Sequence, residues 1–178
     1  MAQMAAVRDR QKQYSSQLGA SANDPIALQI DSITRMVVTN FRKLISCERC
    51  ALFLLDAEAN ELYFKPVSGL DAAVPEIRFP SRAGIAGHVA TTGNMLNVPD
   101  AYKDSRFNRA IDKQTSFKTR TVLCMPVVDS QGKVIAVCQM VNKFEHVKAK
   151  GGKEKGGEGG GEKKWRKFER EDEQILKR

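Results

Sequence analysis

The residues best suited to metal chemistry in this chain are its four cysteines. Cys47 and Cys50 have the C-x-x-C spacing of half a zinc site, but a zinc site needs a second pair of ligands. Cys124 and Cys138 lie in two separate apolar runs, and the only two histidines are far apart. We therefore predict no metal site and no metal cofactor, and we expect reduced thiols that are buried as small hydrophobic side chains.

Histidine is also the natural candidate for acid–base catalysis, and neither histidine has suitable neighbours. His88 follows a glycine-flanked segment, and His146 precedes a Gly/Lys/Glu-rich tract. Neither forms a recognisable arrangement with a Ser, Cys or Asp nucleophile, and the sequence contains neither a P-loop nor a dinucleotide fingerprint. We predict that the chain is not an enzyme and that His88 lies on a helix surface.

The segment around Gly84 offers a different chemistry, the binding of an anion. Ile85, Ala86 and Gly87 are predicted to begin a helix, and the first N–H groups of a helix can hold a phosphate. The same Gly-Ile-Ala-Gly pattern is also compatible with tight packing against a sheet. The polar segment 99–120, called the lid here, favours a binding site, because so long a connection is usually functional or disordered.

Charge and glycine are concentrated in one tract. Residues 148–167 contain eight basic and three acidic side chains, a net charge of +5, so the rest of the chain carries only +3 of the total of +8. Seven glycines accompany them, and such a composition favours a flexible insert. Nonspecific binding of polyanions by this insert is the weaker alternative. We predict no specific nucleic-acid interface, because no aromatic residue precedes Trp165 in the tract.

The remaining pattern predicts one α+β domain with attachments. Residues 1–22 form a polar leader or linker, and residues 23–178 form the domain with its insert at about 148–167. Apolar residues at three- and four-residue spacing predict a helix over 25–45, with Pro25 in its first turn. A further helix is predicted at 81–90, and a last one begins near Phe168 and is expected to be truncated at the C-terminus. Strands are predicted at 50–56, 61–67, 77–80, 95–98, 121–128 and 133–141.

Five segments in a fixed order carry a family resemblance. They are GIAGHVATTG (84–93), NVPDAY (97–102), DSRFNRAID (104–112), TRTVLCMPV (119–127) and VIAVCQMVNK (134–143). Together they resemble the GAF domains of cyclic nucleotide phosphodiesterases. The resemblance implies a central, mainly antiparallel sheet with helices on its faces, and N- and C-terminal helices that pack together.

The resemblance also implies a structural lock and a nucleotide site. The family signature of Asn-Lys, a variable stretch, Phe and Asp-Glu corresponds here to the lock residues Asn142, Lys143, Phe168, Asp172 and Glu173. In the family, the Lys and the Asp form an ion pair between the last strand and the closing helix. The residues that correspond to nucleotide contacts are Ala51, Val67, Ser68, Ile85, Ala86, Asn108, Asp112, Thr115, Thr119 and Gln139.

One departure from the family pattern and one ambiguity affect the implied ligand. Val67 and Ser68 stand where the best-known binders have a Phe-Asp pair whose aromatic ring stacks on the purine. The Gln139 amide can donate or accept a hydrogen bond, so cyclic GMP and cyclic AMP are equally compatible. The leading prediction is therefore a regulatory sensor domain for cyclic GMP or cyclic AMP, and the alternative is a dimerisation module with an empty pocket.

Further expectations concern partners and location. The terminal helices are expected to pair with a second copy, giving a homodimer. The N-terminus becomes charged within ten residues, which is not typical of a secretory signal, and no apolar run approaches the roughly 20 residues of a membrane helix. We predict a cytoplasmic protein. A methionine-sulfoxide reductase of the same fold would need a cysteine pair near the mouth of the pocket, whereas the cysteines here lie within strands or at a strand start. A bilin photoreceptor would need an attachment cysteine in the lid, and the lid has none.

Overall fold

The structure is a computed structural model that describes residues 25–64, 77–109, 112–113, 117–147 and 162–176. The chain divides into two compact units at Met36 and Val37. The described part of the first unit is the N-terminal portion of a helix, and the second unit holds the rest of that helix and all of the described strands. None of the described helices is both long and apolar enough to cross a membrane.

The described elements follow one another in an α+β order. The helices are α1 (Pro25–Ile45), α2 (Gly84–Thr92) and α3 (Arg170–Leu176), with a 3₁₀ turn at Ala101–Lys103. The strands are β1 (Cys47–Asp56), β2 (Glu61–Phe64), β3 (Ile77–Pro80), β4 (Leu96–Val98), β5 (Val122–Val128), β6 (Val134–Val147) and β7 (Glu162–Trp165). The strands form one antiparallel sheet in the order β3-β2-β1-β6-β5-β4, and β7 pairs with the far end of β6. The predicted fold class is confirmed.

The sheet separates two apolar layers because side chains alternate along its strands. On one face, α1 and α3 cover a cluster that includes Val38, Cys138, Met140 and Leu176. The N-terminal helix, from Val38 onward, and the closing helix therefore contribute to the same core. On the other face, α2 covers a second cluster, to which β6 contributes Val137 and Val141. The central strand β6 is buried on both sides, which explains its nearly continuous apolar sequence.

The predicted insert is shorter on its C-terminal side than the composition indicated. Residues 162–165 form β7, which pairs with β6 from Phe144 to Val147. The pairing is supported by an edge-on contact between Phe144 and Trp165 and by the Lys163 ammonium, which lies 4.6 Å from the Phe144 ring centroid. Residues 148–161 lie outside the described part, as do the leader at 1–22 and the last two residues.

Asn142 joins several of these elements. It is fully buried and has a positive φ of 59°, a conformation in which Asn is better tolerated than most residues. Its Oδ1 accepts hydrogen bonds from the N–H groups of Arg120 (2.6 Å) and Thr121 (3.4 Å). Its Nδ2 donates to the Lys118 carbonyl (2.8 Å) and to the Glu48 carboxylate (2.7 Å). A single amide thus connects β1, β6 and the end of the lid.

Replacing Asn142 by Ala is expected to destabilise the fold by about 2–4 kcal/mol, because a buried N–H and a buried carbonyl lose their partner and Ala disfavours positive φ. Urea unfolding measures the loss. Asn60 is the matched control, since it is exposed and has φ 54° in a turn. Asn60→Ala should cost only about 1 kcal/mol. Equal losses in the two variants would mean that the Asn142 side-chain bonds contribute nothing.

Candidate functional site

A cavity of about 360 Å³ lies on the α2 side of the sheet. Its size falls within the range of small-molecule sites, roughly 300–1,000 Å³. The lining comes from strands β1, β3, β5 and β6, from the start of α2 and from the lid. The lining residues are Phe53, Ile77, Arg78, Phe79, Ala83, Gly84, Ile85, Ala86, Phe107, Asn108, Asp112, Thr119, Val122 and Gln139.

One end of the cavity is the N-terminus of α2. Ala83 caps the helix in an extended conformation, without a capping side chain, and Gly84 has φ 70°. The first intrahelical bond runs from the Gly87 N–H to the Ala83 carbonyl, so the N–H groups of Ile85 and Ala86 have no acceptor within the helix. A helix terminus of this kind favours a negatively charged group.

Gly87 makes this tight helix start possible. A Cβ atom at Gly87 would lie 2.4 Å from the backbone carbonyl carbon of Arg82. Any side chain would therefore push the Arg82 backbone away from the helix. The absence of a side chain at Gly87 lets the turn that precedes α2 fold back closely against it.

The lid contributes a buried carboxylate, Asp112. Its Oδ2 accepts a hydrogen bond from the Tyr102 hydroxyl (3.0 Å) and one from the Thr119 N–H (2.7 Å). Its Oδ1 accepts a third from the Thr119 hydroxyl (2.8 Å). The carboxylate therefore ties the 3₁₀ turn of the lid to the residues just before β5, and it closes that side of the cavity.

The floor of the cavity carries one neutral polar side chain, Gln139. In the sheet register it lies between Ala51 on β1 and Cys124 on β5. The Cys124 sulfur is 4.0 Å from the Gln139 Oε1, within reach of a weak S–H···O bond. Complete burial raises the pKa of the Cys124 thiol, so it stays protonated and able to donate. Because this contact uses the Oε1 of Gln139, the amide nitrogen is the end of the side chain that can donate a hydrogen bond to a ligand.

The structure brings some of the predicted ligand residues together at the cavity and leaves others outside it or outside the described residues. Six of them, Ile85, Ala86, Asn108, Asp112, Thr119 and Gln139, line the cavity together. Ala51 is the cross-strand neighbour of Gln139 and is not among the described lining residues. Val67, Ser68 and Thr115 lie outside the described residues. The ligand role of each of these residues stays a prediction.

Sequence reasoning missed an aromatic component of the cavity. Phe53, Phe79 and Phe107 all line it and are half-buried. Phe53 contacts Phe79 edge-on, with ring centroids 5.3 Å apart, and Phe107 contacts Tyr102 at the same separation. The position of Phe53 could have been found from strand alternation, because Phe53 shares a strand face with residue 51, and residue 51 pairs with Gln139.

None of the lock residues is among the described lining residues of the cavity. The Lys143 ammonium is 2.5 Å from Asp172 Oδ2, and the same oxygen accepts from the Glu169 N–H at 2.7 Å. Phe168 is buried in the core that α1 and α3 cover. Its carbonyl and the Glu173 carboxylate both accept hydrogen bonds from the Asn97 amide, at 3.1 and 2.8 Å. These contacts hold α3 to β6 and β4, and none of them reaches the cavity.

The cysteines are arranged as packing residues. All four are buried free thiols, and the sulfurs of Cys50 and Cys138 are 3.6 Å apart. Burial, followed by the neighbouring Cys50, raises the pKa of Cys47 to about 12. Within the described residues, no group of three or more potential ligands could hold a metal ion.

Comparison with a family model and with known protein sequences relates this chain to one domain family. A family model described as "GAF domain" matches residues 29–177. The "Dual 3′,5′-cyclic-AMP and -GMP phosphodiesterase 11" of Drosophila melanogaster is 37% identical over 130 residues, which are 66% of this chain and 9% of the relative. The "Probable 3′,5′-cyclic phosphodiesterase pde-5" of Caenorhabditis elegans is 39% identical over 130 residues, 67% of this chain and 18% of the relative. The chain thus spans less than a fifth of the length of either relative.

Solved structures support the fold. The GAF domain of an Acinetobacter phosphoenolpyruvate-protein phosphotransferase superposes with a TM-score of 0.59 at 17% identity, covering 94% of this chain and 84% of that chain. At this identity the likeness concerns the arrangement of strands and helices, and it carries no information about a ligand.

The Tyr102 hydroxyl is expected to titrate above its ordinary value near 10. Its hydrogen bond to Asp112 raises the pKa most, and burial and the Asp112 charge raise it further. Because the folded-state pKa is raised, this group's contribution to stability is complete below about pH 10 and is lost as pH rises through the Tyr102 pKa. The difference in absorbance titration between the wild type and Tyr102→Phe isolates this phenol.

Asp112→Asn should return the Tyr102 titration toward its ordinary value, because the charge that opposes the phenolate is removed. Tyr63→Phe serves as the control and should leave the Tyr102 titration unchanged, since Tyr63 is in a different contact, beneath the Arg78 guanidinium. A Tyr102 midpoint at or below 10 in the wild type would contradict the described Asp112 contact.

Proposed function

Since the chain belongs to the GAF domain family, we propose that it is a regulatory sensor domain that binds a purine 3′,5′-cyclic nucleotide, either cyclic AMP or cyclic GMP. The observation that carries the proposal is the cavity, whose lining combines the start of α2, the lid carboxylate Asp112 and the amide of Gln139. The sequence similarity to GAF regions of cyclic nucleotide phosphodiesterases supports it.

The phosphate would bind at the start of α2. A cyclic phosphate diester carries one negative charge and has two exocyclic oxygens, which match the unpaired N–H groups of Ile85 and Ala86. No described basic side chain is needed for this contact. Among the described lining residues the arginine is Arg78, whose guanidinium lies near Asp56 (3.5 Å) and Glu61 (3.6 Å) and above the Tyr63 ring.

The sugar and base would lie toward the lid and the sheet. Asp112 and Thr119 supply oxygen atoms on the lid side, where a ribose hydroxyl could exchange with one of their mutual hydrogen bonds. Gln139 supplies the polar contact to the base edge. Its amide nitrogen can donate to acceptors that adenine and guanine both have, so the choice between the two bases stays open in this proposal.

The role we propose is regulatory. A ligand that binds the closed lid more tightly than the open lid shifts the population of the closed state, and this difference in affinity is the source of any signal. The domain would act in the cytoplasm, without a cofactor and without chemistry of its own. The catalytic activity of the much longer relatives is not assigned to this chain.

Isothermal titration of the purified chain with cyclic AMP, cyclic GMP, AMP and GMP tests the proposal. We expect submicromolar binding of one cyclic nucleotide and much weaker binding of the linear monophosphates, whose second phosphate charge and open ring do not suit two backbone donors. Absence of binding by either cyclic nucleotide at 1 mM (about −4 kcal/mol), in a chain that still unfolds cooperatively, would reject the proposal.

Ala86→Pro tests the phosphate contact directly. Proline removes the Ala86 N–H, and in the first turn of a helix this loses no intrahelical bond. Affinity for the cyclic nucleotide should fall about 10- to 150-fold, as expected for a hydrogen bond to a charged group. Ala86→Val is the matched control, because it adds similar volume and keeps the N–H. Equal affinity losses in both variants would assign the effect to packing.

A second candidate function is a dimerisation module with an empty pocket. It is favoured by Val67 and Ser68, which replace an aromatic–acidic pair, and by apolar side chains on the N-terminal part of α1. Ile30, Ile33 and Met36 recur at three-residue spacing and are 41%, 52% and 60% exposed. Exposed apolar residues on one helix face often mark an interface with a partner helix.

Sedimentation velocity tests the second candidate. If α1 pairs with a second copy, the wild type sediments as a dimer, and Ile33→Glu shifts it to monomer because a charge enters the apolar face. Ser32→Glu, on an exposed neighbouring position, should leave the dimer intact. Asp112→Asn should also leave it intact in an empty-pocket module. A monomeric wild type at 100 µM (about −5 kcal/mol) would remove this candidate.

A further inference from the structure

We propose that Phe79 provides the aromatic face on which the purine base of the ligand stacks. The inference rests on the proposed function, and it adds the residue that this chain would use for base recognition. The family resemblance puts the stacking ring at the positions of Val67 and Ser68, which carry no aromatic group. A purine site without a stacking partner would lose a substantial part of its affinity.

The sheet register puts Phe79 on the correct face. Residues directly opposite one another in neighbouring strands share a face. Phe79 pairs with Leu62, Leu62 with Leu55, and Leu55 lies two residues beyond Phe53 on β1. Continuing across β1, Ala51 pairs with Gln139. Phe79 and the base-edge candidate Gln139 therefore both face the cavity, and both line it.

The neighbouring residue Arg78 fixes the strand that carries Phe79. Arg78 points to the opposite face, where its guanidinium lies 4.5 Å from the Tyr63 ring centroid and close to Asp56 and Glu61. Alternation along the strand then directs Phe79 into the cavity. The ring is oriented by its edge-on contact with Phe53, at a centroid separation of 5.3 Å and an interplanar angle of 74°.

The other two aromatic residues are less suitable. Phe53 contacts two rings, Phe79 and Phe64, the latter with a centroid separation of 6.0 Å. These neighbours occupy the space around its ring. Phe107 is on the lid, and it packs against Tyr102, which in turn binds Asp112. Phe79 is half-buried on the edge strand of the described sheet, and among the described rings only Phe53 contacts it. Phe79 therefore has fewer ring neighbours than Phe53 and, unlike Phe107, is held by the sheet itself.

Titration of Phe79→Leu with cyclic AMP, cyclic GMP and cyclic UMP tests this assignment. Leucine keeps an apolar side chain of similar volume and removes the flat π surface. Affinity for the preferred purine nucleotide should fall about 5- to 150-fold. The decrease should be smaller for cyclic UMP, whose single ring stacks over less area, so discrimination between purine and pyrimidine should narrow. A role in packing alone would weaken all three nucleotides equally.

Phe144→Leu is the matched control. It makes the same Phe-to-Leu change at the β6–β7 pair, where Phe144 contacts Trp165 and the Lys163 ammonium, and it should leave nucleotide affinity within about twofold of the wild type. A second variant covers the case in which Phe79→Leu does not fold. In Phe79→Trp, made in a Trp165→Phe background, the introduced indole is the only one in the chain, and stacking of the base should quench its fluorescence.

The outcomes separate the two hypotheses. If the wild type binds no cyclic nucleotide, the proposed function fails and the stacking assignment fails with it. If the wild type binds, but Phe79→Leu binds within twofold of it, or the introduced indole shows no quenching at saturation, the function stands and Phe79 is not the stacking residue. A selective loss for purine nucleotides together with quenching supports the assignment.

Discussion

The hydrogen bonds of the buried Asn142 amide are the interactions on which both the lid and the attachment of the closing helix α3 depend. It sits in β6 with a positive φ, and its side chain bonds to the backbone of residues 118–121 and to Glu48. Without the amide, the N–H groups of Arg120 and Thr121 and the carbonyl of Lys118 would lose this partner. Asparagine is suited to this position because it combines two donors, an acceptor and tolerance of the left-handed conformation.

The same short segment connects the lid to the closing helix. Thr119 bonds to the lid carboxylate Asp112 with its N–H and its hydroxyl, while the flanking residues bond to Asn142. The next residue in β6, Lys143, then forms the ion pair with Asp172 on α3. The ion pair is mostly buried, with 20% and 7% of the two side chains exposed, and the Glu169 N–H shares its carboxylate. A movement of Asp112 therefore acts on a backbone that is also bonded to the anchor of the terminal helix.

The sequence was most informative where apolar residues recur with a clear period. The helix at 25–45 has the bounds that its spacing and Pro25 predicted. β5 and the first part of β6 are short apolar runs bounded by turn residues, which are typical of buried strands. Strands without an apolar pattern were not predicted from the sequence. Neither β7 nor the end of β6 has apolar alternation, and their pairing depends on contacts such as Phe144 with Trp165, which exist only once the strands are adjacent. Phe79 was missed because a four-residue strand does not reveal which face is covered.

The extension of β6 and β7 also explains how a glycine-rich insert can interrupt the signature between Lys143 and Asp172. The two strands are paired from Phe144–Trp165 to Val147–Glu162, so both ends of the intervening segment already lie side by side. Closing a longer loop between paired ends costs little, about 0.6 kcal/mol for each doubling of its length. Just beyond the last residue pair of β6 and β7, the Arg166 N–H donates a hydrogen bond to the Lys143 carbonyl at 2.8 Å. The lock therefore begins where the pairing of β6 and β7 ends, and a longer insert adds little to the free energy of closing the loop.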